Sequence, residues 1–264
     1  MRRCTPGQFG SLRLVIAGAE KLSQRLALAF EDTFGIRPIE GYGATECSPV
    51  IATNALDFRA PGYYQAGTRR GSVGQPLPGV AVRIVDPDRE FDPEKSKPLP
   101  TGTEGMLVVK GENVMQGYLG RDDLTRNVLK DGWYVTGDIA VVNETGFITI
   151  TDRRSRFSKI AGEMVPHGRV EEALHEAAGA GEQIFAVTAV PDEKRGERLI
   201  VLHKYAEDKI PAVLYKLSSM GLPNLFMPQP DQFLKVDSLP LLGTGKLDLK
   251  GLKWIAEEHL GVRR

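Results

Sequence analysis

Several things are scarce in this sequence of 264 residues, and each absence excludes something. Two cysteines, Cys4 and Cys47, are too few for a disulfide framework, so a reducing compartment is expected. Four histidines (His167, His175, His203, His259) lie far apart without Cys or His at ligand spacing, which argues against a histidine-based metal site. Lys and Arg number 34 against 34 Asp and Glu, so neither sign is in surplus. A chain devoted to nucleic acid or to an anionic membrane surface would carry one. No apolar run reaches about 18 residues, the length that would read as a transmembrane helix. Met1-Arg2-Arg3 ahead of Leu12–Ala19 imitates a secretory signal, but the apolar stretch is too short and reads as a buried strand. A soluble, cytoplasmic protein is therefore expected. Glycine is the residue in excess, 29 of 264, or about 11% against a usual 7%. The glycines are neither periodic nor low-complexity, which suits tight turns and close backbone approach to a ligand.

The length allows one large or two ordinary domains, and 41% hydrophobic residues suffice for a core. Leu12 to Gly18 reads as a strand. Ser23 reads as the N-cap of a helix carrying Leu26, Ala27, Phe30 and Phe34 inward and stopped by Gly35. Ile36 to Glu40 reads as a second strand, completing part of a βαβ layer. From Gly71, short strands at 80–86, 105–110, 133–142 and 147–151 predict a small barrel or curved sheet, with 87–103 a solvated loop. Beyond Asp152, helices at 165–178, 210–220 and 247–260 and strands at 184–190, 199–205 and 233–236 predict a compact α+β unit.

Four glycine-framed segments carry polar residues. In Gly41-Tyr42-Gly43-Ala44-Thr45-Glu46, Glu46 takes the place of the third glycine of a dinucleotide fingerprint. An acid there would repel a phosphate unless a cation intervened, and Mg²⁺ is the natural one. Asp138, in Tyr134-Val135-Thr136-Gly137-Asp138, can accept hydrogen bonds from a ribose diol. The third segment runs from Asp152-Arg153 to Lys159-Ile160-Ala161-Gly162-Glu163. The fourth is Gly243-Thr244-Gly245-Lys246, which is not a phosphate-binding P-loop because Pro240 holds the first glycine position and Leu247 follows the lysine. Taken singly, each segment is also ordinary turn chemistry, and Arg153, Arg154, Arg156 and Lys159 also read as a solvated basic face.

In their order and spacing, and with Gly117-Tyr118 between the first two, these segments resemble the AMP-forming acyl-activating superfamily of acyl-CoA synthetases, luciferases and peptide-synthetase adenylation domains. The resemblance runs from Leu12 over essentially the whole chain. Arg156-Phe157-Ser158-Lys159-Ile160-Ala161-Gly162-Glu163-Met164-Val165 and Leu241–Lys246 are most similar to the acyl–acyl-carrier-protein synthetase half of bacterial bifunctional 2-acylglycerophosphoethanolamine acyltransferase, an enzyme of phospholipid metabolism. The implied fold is α/β and α+β. The end of a large multi-layer adenylate-forming domain occupies residues 1–152, with a βα layer to about 70 and a small β-barrel subdomain over 71–152. A mobile α+β C-terminal lid domain follows over 153–264.

The resemblance implies ATP-dependent activation of a fatty acid to an acyl-adenylate, then transfer to a pantetheine thiol of acyl carrier protein or of coenzyme A. It implies that Gly18-Ala19-Glu20 and Gly41-Tyr42-Gly43-Ala44 line the adenine, with Tyr42 stacking. Thr45 would contact the α-phosphate, Glu46 would hold Mg²⁺, and Asp138 and Arg153 would serve the ribose. Lys246 would bridge the carboxylate and α-phosphate as charge builds, while Lys159 and Gly162 would belong to the thioester-forming arrangement. The hinge would lie at 152–155 with Ser155 at the pivot, and the basic cluster there could meet an acidic carrier protein. The family's Ser/Thr/Gly-rich phosphate loop and most of its acyl pocket belong well ahead of Leu12. The chain is therefore expected to be part of a longer enzyme, inactive by itself and in full length inner-membrane associated through upstream modules. A non-catalytic nucleotide- or carrier-binding module is the alternative.

Overall fold

The computed structural model describes residues 4–243 and 245–261. Met1-Arg2-Arg3 of the signal-like start and Thr244 of the lysine turn thus lie outside the described residues. The chain forms two compact units, divided between Arg154 and Ser155.

The first unit opens with the strand β1 (Val15–Ala17), helix α1 (Gln24–Phe34) and strand β2 (Pro38–Gly43). Strands β1 and β2 pair in parallel, Ile16 opposite Ile39, so the segment is a right-sized βαβ element. Gly35, at φ 68°, closes the helix in the left-handed conformation that glycine tolerates best. Phe30 and Phe34 pack with Phe9, whereas Leu26, expected inward, is exposed. Strand β3 (Val50–Thr53) then runs antiparallel to β2, and a hairpin of β4 (Phe58–Ala60) and β5 (Tyr63–Gln65) projects before β6 (Gln75–Pro76) pairs with β3. The sequence reading had no strands between Gly43 and Gly71, because Pro, Asn and Gly break any alternation there.

The rest of the unit is an antiparallel sheet in the order β11-β10-β8-β7, with β9 also against β10. Its strands are β7 (Ala81–Val85), β8 (Gly105–Lys110), β9 (Leu129–Lys130), β10 (Trp133–Val142) and β11 (Ile148–Arg153). Helix α2 (Asp122–Val128) lies between β8 and β9. Register breaks between Val135 and Ile139 against β8, and between Ile139 and Ala140 against β11, interrupt the ladder of β10. Cys47, Ile51, Leu107, Val109, Tyr134 and Ile148 form the buried core. Burial pushes the Cys47 thiol up to about 11, so it is an inert apolar side chain here.

The second unit begins with a hairpin the sequence reading missed, β12 (Phe157–Ile160) and β13 (Glu163–Pro166), so helix α3 starts at His167 and ends at Ala178. Strands β14 (Phe185–Asp192) and β15 (Gly196–His203) follow, then α4 (Ile210–Ser218), β16 (Phe233–Lys235) and α5 (Leu249–His259). The sheet order is β13-β12-β15-β14, with β16 parallel to β15. Alternation along β14 and β15 builds two cores. Phe185, Val187, Leu199 and Val201 pack with α3 and α4, while Ala186, Val190, Ile200 and Leu202 pack with Leu252 and Ala256 of α5. Both faces are covered, which is why these strands read as nearly continuous apolar runs. Among the described residues no helix is long and apolar enough to cross a membrane.

Candidate functional site

Two segments of the first unit meet at the carboxyl ends of its parallel strands, where open α/β sheets place ligands. Gly18-Ala19-Glu20 follows β1 and is exposed, with Ala19 at φ 70°. Gly41-Tyr42-Gly43 ends β2, and a Cβ on Gly18 would lie 3.3 Å from the carbonyl oxygen of Gly41. The turn after β2 is closed tightly. The amide of Ala44 donates to the carbonyl of Pro49 at 2.8 Å, and a Cβ on Gly43 would sit 1.9 Å from that oxygen. Only glycine fits without moving the backbone. Thr45, exposed, and Glu46, half-buried, then lie on a single 3₁₀ turn, Thr45–Cys47.

Asp138 reaches the same motif from β10. Gly137 sits at φ 75° within the break between Val135 and Ile139, which re-aims the next side chain. Thr136 Oγ1 donates to the Leu107 carbonyl at 2.8 Å and accepts from the Asp138 amide at 3.0 Å, pinning that bend. The Asp138 carboxylate is 6% exposed and accepts from the Tyr42 hydroxyl at 2.5 Å and from Arg153 Nε at 2.7 Å. Arg153 is its cross-strand partner on β11 and is itself 64% exposed. Burial first, then the neighbouring Asp138 charge, pushes the Tyr42 phenol well above its ordinary range, so it remains a donor. The structure thus brings Tyr42, Asp138 and Arg153 into one cluster, in which both carboxylate oxygens already have a partner.

Glu46 acquires a neighbour to which the motif pattern assigns no role. The Tyr118 hydroxyl donates to Glu46 Oε1 at 2.7 Å. Burial, then that hydrogen bond, pushes the Tyr118 phenol up to about 12. Among the described residues no three acidic, His or Cys side chains gather into a metal cage. A lone half-buried carboxylate is a hard oxygen donor, which fits Mg²⁺ shared with substrate phosphates and water rather than a cation held by protein alone.

In the second unit Lys159 is exposed on β12, and its amide donates to Glu197 at 2.6 Å. Ala161 (φ 51°) and Gly162 (φ 91°) form the two-residue turn to β13, both in the left-handed region that such hairpins require. Lys246 is exposed on a turn closed by the Leu241–Leu247 bridge and by donation from the Leu242 amide to its carbonyl at 2.7 Å, with Gly245 at φ 85°. Of the expected basic face of Arg153, Arg154, Arg156 and Lys159, Arg154 and Lys159 are simply exposed. Arg153 is spent on Asp138, and Arg156, 20% exposed, pairs with buried Glu171 at 2.5 Å. Beside this pair Ser158 Oγ and His167 Nε2 are 2.5 Å apart, and the Val187 amide donates to Glu171 at 2.7 Å. These partners lie nine to sixteen or more positions apart in sequence, and nothing in the local pattern signals them.

Known proteins resemble this chain in both fold and sequence. ATP-bound MatB from Rhodopseudomonas palustris superposes with a TM-score of 0.77 at 27% identity, over 97% of this chain and 48% of that one. An o-succinylbenzoate CoA synthetase from Bacillus subtilis, in complex with its acyl-adenylate intermediate, gives 0.74 at 23% identity, a likeness of fold, over 96% and 47%. The architecture is that of the adenylate-forming enzymes. Residues 2–119, just under half of the chain, match the family described as AMP-binding enzyme. A long-chain-fatty-acid–CoA ligase of Yersinia pestis is 39% identical over 193 residues, 73% of this chain and 31% of the relative. Feruloyl-CoA synthase of an Amycolatopsis species is 32% identical over 251 residues, 94% and 47%. The chain therefore spans a third to a half of the length of these relatives.

Proposed function

We propose that the chain supplies the nucleotide-binding segments and the C-terminal unit of an AMP-forming acid–thiol ligase that activates a fatty acid as its acyl-adenylate and passes it to coenzyme A. The observation that carries this reading is the Tyr42–Asp138–Arg153 cluster, which joins the motif at the end of β2 to the glycine bend of β10. Identity to a long-chain-fatty-acid–CoA ligase over 193 residues supports the substrate class. The relatives are named for coenzyme A, so the thiol is taken as coenzyme A rather than the acyl carrier protein that the Arg156–Val165 segment suggested. The pairing of Arg153 with Asp138 and of Arg156 with Glu171 points the same way.

A carboxylate resists attack because of its charge, and activation replaces a poor leaving oxide with AMP. The protein's part is positioning and stabilisation of developing charge. Gly18–Glu20 and Gly41–Ala44 would present backbone to the adenine, with Tyr42 beside it. Asp138 would take the ribose hydroxyls by exchanging or sharing its contact with exposed Arg153. Thr45 would face the α-phosphate, and Glu46 would hold Mg²⁺, whose charge neutralises phosphate oxygens. Lys246 would stabilise the forming acyl-phosphate bond, and Lys159 with Gly162 would serve thioester formation. The test is fatty-acid-dependent ATP–pyrophosphate exchange, on this chain and on one extended upstream, followed by turnover with coenzyme A against acyl carrier protein. Exchange that is lost in Lys246→Ala is expected; its absence from the extended chain, or its survival in that variant, overturns the reading.

A further inference from the structure

The turn bearing Thr45 and Glu46 is bracketed by one distant segment. The Met115 amide donates to the Glu46 carbonyl at 2.7 Å, and Asn113 Nδ2 donates to the carbonyls of Cys47 at 2.9 Å and Val50 at 3.0 Å. Tyr118 adds the only side-chain contact among these that touches the Glu46 carboxylate itself, 72 positions away in sequence. Tyr118 is in turn seated from behind. Its amide donates to Thr125 Oγ1 at 2.9 Å, and that hydroxyl donates to the Arg121 carbonyl at the start of α2. A Cβ at Gly117 would lie 2.9 Å from Thr125 Cγ2, so glycine lets the segment lie close on α2.

A glutamate has three side-chain torsions, and ordering them for a single bond to a cation costs conformational entropy. A hydroxyl on a residue whose backbone is tethered to a neighbouring helix, donating to one carboxylate oxygen, bears part of that cost before the ligand arrives. It also restricts rotation of the carboxylate. Outer partners of this kind on metal-binding carboxylates change metal affinity by about 10–100-fold when removed.

We propose that Tyr118 is a positioning residue that holds the Glu46 carboxylate in the orientation required to receive the cation carried by the nucleotide phosphates. This rests on the reading of Glu46 as a Mg²⁺ ligand. The experiment measures ATP affinity of the full chain by calorimetry, in Mg²⁺ and in EDTA, for the parent, Tyr118→Phe, Glu46→Gln and the double variant, with urea unfolding midpoints alongside. The Mg²⁺-dependent gain in affinity is expected to fall about 10-fold in Tyr118→Phe. It is expected to fall at least as far in Glu46→Gln and no further in the double variant, while affinity in EDTA and the unfolding midpoint of Tyr118→Phe hold. If Glu46→Gln keeps the parent's gain, the Mg²⁺ assignment falls and the proposal with it. If Glu46→Gln loses the gain but Tyr118→Phe retains it, the proposal alone falls. Equal loss of affinity in Mg²⁺ and EDTA on Tyr118→Phe assigns the tyrosine a structural role and also overturns it. A parent chain without measurable ATP affinity overturns both.

Discussion

Asp138 shows how unequal the two halves of one ion pair can be. Its carboxylate is 6% exposed while Arg153 is 64% exposed, so water screens the arginine side of the pair. Removing Arg153 therefore costs stability on the scale of an exposed ion pair, under about 1 kcal/mol. Removing Asp138 instead leaves the largely buried Tyr42 hydroxyl without its acceptor, a cost of about 1–3 kcal/mol. Urea unfolding of Arg153→Ala and Asp138→Ala is expected to show this ordering. Titration with AMP is expected to show binding weakened in both and abolished in Asp138→Ala. Equal stability of the two variants would mean that Tyr42 has another acceptor. The sequence made Asp138 legible through the glycine before it, but not its pairing with Tyr42, because the two are 96 positions apart.

At the scale of elements, the join between β12 and α3 is polar and buried. His167, the first residue of α3, is 6% exposed and receives its hydrogen-bond partner from Ser158 on β12. Burial first, and then the nearby Arg156 charge, depress its pKa from 6.5 to about 3. Burial also depresses His175 and His203, although backbone carbonyls and the Glu172 and Glu207 carboxylates oppose the shift. These imidazoles stay neutral in the folded unit and take up protons on unfolding below pH 6.5, so acid favours the unfolded chain. Stability is full above that pH and is lost as pH falls from about 6.5 toward 3. For His167 alone the loss is about 2 kcal/mol by pH 5. The urea midpoint of the second unit is expected to drop accordingly between pH 7 and pH 5, with a shallower slope in His167→Gln. A flat profile in the parent would refute a neutral buried His167. Here the sequence pattern extends the helix back to Val165, over the last two residues of β13. Periodicity reports which faces are apolar, and Val165 continues the apolar pattern across the Pro166 boundary.

At the scale of the whole molecule, the chain is two units with separate cores, divided between Arg154 and Ser155. Arg154 and Ser155 are both exposed, and Arg154 lies on a 3₁₀ turn rather than in a sheet ladder. Limited digestion with trypsin is expected to cut first after Arg154 and to leave two resistant fragments, identified by their masses. First cuts within 15–151 or 157–259 would show that the division is not the weakest point of the backbone.

Local pattern alone determined much of this protein. The strand–helix–strand start, β8 and β10 to the residue, and the glycine turns follow from periodicity of 2 or 3.6 and from backbone conformations that glycine adopts cheaply. Those properties depend on neighbours in sequence, so sequence suffices for them. The tertiary structure alone decided which polar groups meet: Tyr42 with Asp138, Tyr118 with Glu46, Arg156 with Glu171 and Ser158 with His167. A buried hydroxyl, carboxylate or guanidinium must find a partner once water is excluded, and only the folded chain settles which one is within reach.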